Sequence, residues 1–123
     1  MIAAHIEAIL WFTGVVTALP IVQFIAPRFG LKLLFKVEVH DPAGLLFARH
    51  WGLLAFTMGG LLLYAAGHPQ ARYPILLAAM IEKAGLVGLI AAEWNALHTR
   101  GLRLTLAFDA ACSVIFAAWL LGV

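Results

Sequence analysis

The sequence predicts an all-α protein, an integral membrane bundle of four helices with both termini on the extracytoplasmic side. Three observations predict it. Of the 123 residues, 64% are apolar and 11% charged, against about 45–50% and about 25% in an ordinary soluble domain. The mean hydropathy of +1.00 leaves too little polar surface to cover a body in water, so most side chains face lipid or one another. Four apolar segments reach the roughly 20 residues that a spanning helix needs at 1.5 Å per residue.

The first segment is residues 6–26. The chain before it has no Lys or Arg, which a secretory signal peptide needs, so the segment is expected to stay as a transmembrane helix. Thr13, Thr17 and Pro20 fall on one stripe, and Pro20 removes a backbone bond and exposes the Val16 carbonyl. A connection over residues 27–42 follows, long for a bundle loop. Leu31, Leu33, Leu34, Phe35, Val37 and Val39 alternate there with Lys32, Lys36 and Glu38. It reads as an interfacial segment on the cytoplasmic surface, helical over 31–35 or extended over 35–40.

The second helix, residues 43–66, starts at Asp41-Pro42, a carboxylate N-cap with proline at the first helical position. The third covers residues 73–97 and the fourth 103–122, separated by His98-Thr99-Arg100-Gly101. Arg28, Lys32 and Lys36 in the first connection and Arg100 and Arg103 in the third, against Arg72 alone in the second, put the first and third on the cytoplasmic side. The chain is therefore expected to be a multi-pass protein of the cell inner membrane.

Polar groups inside the spans suggest where chemistry lies, since ionisable groups there usually face the bundle interior or a partner charge. Arg49, His50, Glu93 and Asp109 are expected toward the cytoplasmic side, and His5, Glu7, Glu82 and Lys83 nearer the outer half. His50, Thr57 and Tyr64 share one face of the second helix, and Thr105, Asp109 and Ser113 one face of the fourth. Four polar stripes are expected to point inward. One reading makes them structural, with Arg49 paired to Asp109 or Glu93 and Lys83 to a carboxylate on another helix. The other encloses a small cavity lined by His50, Thr57, Tyr64, Glu82 and Asp109, with Arg49 keeping Asp109 ionised, suited to a ligand with a polar group and a lipophilic body.

Other features exclude more than they assign. A net charge of +2 is too slight and scattered for nucleic acid. The single Cys112 permits no internal disulfide and reads as a small buried hydrophobe. His50 and His98, the best pair for haem, differ in depth by about 7–10 Å, and His5, Glu7, His40 and Asp41 lie on opposite sides of the membrane, so neither a cofactor nor a metal is expected. Gly52, Gly59, Gly60 and the run Ala84-x3-Gly88-x3-Ala92 offer surfaces for close helix approach within the bundle or between protomers. Trp11, Trp51, Trp94 and Trp119 read as interfacial anchors.

The segment from Asp41-Pro42-Ala43-Gly44 through Ala48-Arg49-His50-Trp51-Gly52 to Gly59-Gly60-Leu61-Leu62-Leu63-Tyr64 resembles the second helix of small DoxX-like bacterial membrane proteins. A looser likeness extends to membrane scaffolds of sterol synthesis and to sterol-isomerase-like bundles. The resemblance implies a four-helix layout with a proline-interrupted first helix, and carries over Arg49 and Gly52 but no catalytic residue. It implies two functions: binding or isomerising a lipophilic small molecule, or docking a partner enzyme. The first is expected here as binding of a quinone, sterol-like or isoprenoid compound, and the second as a scaffold or accessory subunit that recruits a membrane partner through Lys32, Lys36 and Phe35. A third class, a proton-coupled small-molecule exporter, would use Glu82 as its embedded carboxylate.

Overall fold

The computed structural model describes residues 2–123. It contains α1 (Ile2–Ala18), α2 (Ile21–Ile25), α3 (Pro27–Phe35), α4 (Pro42–Gly67), α5 (Arg72–Ala92) and α6 (Arg103–Leu120), with 3-10 turns at Pro69–Ala71 and Leu97–Leu102. Four stretches are long and apolar enough to cross a membrane: Ile2–Ile25, Pro42–Gly67, Pro69–Ala92 and Leu97–Leu120. Among the described residues there is no strand, so the all-helical class holds.

Pro20 splits the first span. Without its N–H the helix tightens, with Leu19 N–H donating to Val16 O at 3.2 Å and Gln23 N–H to Pro20 O at 3.0 Å. A second break at Ala26 (φ −134°, ψ 84°) turns the chain into α3, which starts on Pro27. The long connection is therefore helical over its first half, and its second half, residues 36–40, is irregular. The helix stops on Lys36 in the left-handed region (φ 55°, ψ 37°). Lys36 N–H bonds to Lys32 O at 3.2 Å and Val37 N–H to Leu31 O at 3.4 Å, an αL-type end whose left-handed position is usually glycine. Gly101 makes room for it, because a Cβ there would collide with the Phe35 carbonyl.

The expected Asp41 cap is present: its Oδ2 accepts from Gly44 N–H at 2.7 Å, with Pro42 in the first turn. At the other end of α4, Arg72 reaches back, donating through Nε to Ala65 O at 2.8 Å and through Nη2 to Ala66 O at 2.7 Å. Two carbonyls that the helix end leaves open are thus satisfied.

α5 ends at Ala92, five residues before the expected boundary, and Glu93 (φ −113°, ψ 34°) has left the helix. Beyond it the chain turns, with Ala96 N–H donating to Glu93 O at 3.0 Å and Thr99 N–H to Ala96 O at 3.3 Å, and the buried Thr99 hydroxyl lies 2.7 Å from Glu93 O, supporting a carbonyl that a continuing helix would otherwise use.

Packing divides the bundle into a tight end and a loose one. Gly14 and Ala18 of α1 lie against Gly59 of α4, so close that a Cβ on Gly59 would stand 2.6 Å from Ala18 N and Gly14 O. Gly52 meets Pro20 O and the Gln23 side chain in the same way. Around this seam Ile6, Leu10, Leu62, Ala65, Leu76, Ala79, Cys112 and Phe116 form the buried core, contributed by the start of α1 and α5 and the end of α4 and α6. Cys112 is a small core residue, as expected. The core therefore occupies the end that carries both termini. Toward α3 the α1–α4 pair and the α5–α6 hairpin separate, and the space between them is a cavity.

Candidate functional site

Lys83 is the centre of the cavity's polar end. It follows Leu76 and Ala79 on the inward face of α5, and Ile90 continues that face. At 2% exposure an ammonium this deep must have its N–H groups satisfied. Nζ donates to Thr17 Oγ1 of α1 at 2.9 Å and to Asp109 Oδ1 of α6 at 3.2 Å, and stands 5.0 Å from the centroid of the Phe108 ring. One side chain thus ties three helices together. Asp109 is 4% exposed; α6 holds it in place partly because Ser113 Oγ bonds back to its carbonyl at 2.8 Å.

The cavity, about 320 Å³, falls within the range of small-molecule sites. Its walls are Phe12, Val16, Leu19 and Pro20 on the α1 side, Trp51 and Ala55 of α4, Leu86 of α5, and Leu104 and Phe108 of α6, with Leu34 and Phe35 of α3 closing the end. Polar groups come from Thr17, Glu82, Lys83, Thr105 and Asp109. Phe35 lies flat on Trp51, centroids 4.9 Å apart at 25°, so α3 is fastened to the bundle by an aromatic stack. A second, apolar groove of about 310 Å³ runs between α1 and α6 past Ala8, Ile9, Ala111, Cys112 and Ile115. Phe12 and Phe108, edge to face at 6.3 Å, border both spaces.

The expected site residues part company. Asp109, buried, and Glu82, exposed, line the cavity, whereas His50, Thr57 and Tyr64 are exposed on the outer face of α4 and do not line it, so the expectation of four inward stripes is corrected to fewer. The reason is a competing stripe of the same period. Gly52, Gly59 and Ala66 are all buried and lie two residues after His50, Thr57 and Tyr64, about 200° further round the helix. Close backbone approach to α1 requires the small stripe inside, which sends the polar one out. Thr57 Oγ1 bonds to Leu53 O at 2.9 Å, and the Tyr64 ring stacks on His68 with centroids 3.8 Å apart.

Arg49 does not hold Asp109. Its Nε donates to Phe24 O at 3.0 Å and its guanidinium lies 5.5 Å from the Phe24 ring centroid, so it serves a carbonyl freed near the end of α2. Beside it Gln23, fully buried, donates Nε2 to Ala48 O at 2.6 Å, and its Oε1 is without a partner among the described residues. Glu93 meets His98 Nε2 at 2.8 Å, exposed. One residue from each of the two expected charge layers meets its partner at a shared depth: Lys83 falls near the middle of Pro69–Ala92 and Asp109 near the middle of Leu97–Leu120, while Arg49 and Glu93 stay apart from them. Phe35, expected to dock a partner, is buried, while Lys32 and Lys36 are exposed. Trp51 lines the cavity rather than acting as an interfacial anchor.

Lys83 and Thr17 are the residues that sequence reasoning undervalued. The signal for Lys83 was its phase: Leu76, Ala79, Lys83 and Ile90 recur at helical spacing on one side, and Glu82 stands one step off that line. No family model, curated protein or solved structure matches this chain.

Proposed function

We propose that the protein binds a lipophilic small molecule, of the quinone, sterol-like or isoprenoid kind, inside its bundle at the Lys83–Asp109–Thr17 cluster. One observation carries this reading: a cavity of about 320 Å³ whose walls are apolar and whose polar groups converge around a buried ion pair. Bilayer lipid cannot hydrogen-bond to such a cluster through its chains, so an occupant with a polar group and a lipophilic body suits it better. The DoxX-like resemblance of residues 41–64 supports the same class of function. The loop charges that set Arg28, Lys32, Lys36, Arg100 and Arg103 on one side support an inner-membrane location with α3 on the cytoplasmic surface.

The test is native mass spectrometry of the detergent-purified protein with extraction of whatever stays bound. The wild type and His50→Ala, altered on the outer face, are expected to retain one defined lipophilic mass. Ala55→Phe, which fills the cavity from α4, is expected to lose it. An empty wild type overturns the reading, as does a mass that survives Ala55→Phe.

A further inference from the structure

Building on the reading that the cavity holds a molecule with a lipophilic body and a polar group, and narrowing that group away from an acceptor-only quinone head, we infer that the cavity selects a lipophilic amine, an apolar body with a cationic, hydrogen-bond-donating head. The first ground is the arithmetic of donors and acceptors. An ammonium has three N–H groups. Lys83 directs two at Thr17 Oγ1 and Asp109 Oδ1 and lies over the Phe108 ring, so it has little left to give an occupant. The acceptors are in surplus. Asp109 is buried to within 4% and faces the cavity, yet among the described residues only its Oδ1 receives a side-chain bond. Glu82 and Thr105 line the same space, and no hydrogen bond involves either side chain among the described residues. Two carboxyl groups thus line the space, Asp109 paired with Lys83 and Glu82 exposed and outside ion-pair distance of it, and the missing partner is a donor that brings positive charge.

The second ground is independent of the carboxyls. Four aromatic rings, Phe12, Phe35, Trp51 and Phe108, border the cavity. Ring faces attract an organic cation, most strongly where water is excluded, and the Lys83–Phe108 approach is that contact made within the protein. An anionic head meets the opposite situation: Lys83 has one N–H beyond those given to Thr17 and Asp109, and both Asp109 and Glu82 repel the anion.

A compact cage with interchangeable heads tests the inference without detergent-like probes: adamantylamine, adamantanol and adamantane carboxylate, each titrated against wild type and Glu82→Gln by native mass spectrometry. The amine is expected to bind the wild type at least tenfold more tightly than the alcohol, with no measurable retention of the carboxylate. Glu82→Gln, which leaves the Lys83–Asp109 pair intact, is expected to bring the amine's advantage below threefold. Carboxylate binding tightest, or an amine preference untouched by Glu82→Gln, overturns the choice of head while leaving the cavity as a binding site. Retention of none of the three cages overturns the binding reading and this inference together.

Discussion

Breaking the Lys83–Asp109 pair from one side is expected to destabilise the bundle far more than removing both charges. In Asp109→Asn, the Lys83 ammonium keeps Thr17 as its hydrogen-bonding partner at 2.9 Å but loses the counter-charge at 3.2 Å. A buried charge without its partner costs about 3–5 kcal/mol. Lys83→Met in the same chain replaces the ammonium by an apolar chain of similar reach, and the double variant is expected to fall within about 1 kcal/mol of wild type. The coupling between the two changes is then at least about 2 kcal/mol. Thr17→Val alone, which removes one neutral acceptor, is expected to cost about 1 kcal/mol. Unfolding in mixed micelles, followed by tryptophan fluorescence and far-ultraviolet circular dichroism, gives the free energies of wild type, of these variants and of Lys83→Met alone. A double variant as unstable as the sum of its singles would refute the pairing argument.

Two neighbouring glycines are expected to respond with opposite signs. Gly59→Ala puts a methyl group 2.6 Å from the α1 backbone and is expected to cost about 1–3 kcal/mol, whereas Gly60→Ala meets nothing within 4 Å and gains about 0.5–1 kcal/mol of helix propensity; equal effects would remove the case for a glycine seam. Lys36→Gly relieves a left-handed φ of 55° and is expected to stabilise by about 0.5–1 kcal/mol, so a loss in the same unfolding experiment would show that the lysine side chain contributes more than its backbone costs.

Much of the architecture was legible because helices long and apolar enough to cross a membrane announce themselves by length and composition. The α4 start was readable from Asp41-Pro42 and is present as a cap with a 2.7 Å bond. The early end of α5 was not, because residues 93–97 contain neither Gly nor Pro, and the side chain that bonds to the freed Glu93 carbonyl is Thr99, six residues further on. The site was half legible. Asp109 was found because a carboxylate in a span demands a partner. His50, Thr57 and Tyr64 were assigned inward because a polar stripe and a glycine stripe share the same seven-residue period on α4, and polarity was weighted above size. Where two stripes compete, the one that lets backbones touch decides which way the helix turns. Arg49 shows the same limit, since its partner is a main-chain carbonyl, invisible to any search for opposite charges.

The unequal ends of the bundle set how freely the chain can vary. Around Leu10, Leu62, Leu76 and Phe116, each of them fully buried, a lost methylene leaves a void and an added one has nowhere to go. Beside α3 the space is already open, and side chains such as Ala55, Leu86 and Leu104 border it, so their sizes can drift at small cost to the fold. One end of the molecule is thus held to a narrow repertoire while the other is free to be reshaped, and the size of the cavity can change in a lineage of such chains without their having to relearn how to fold.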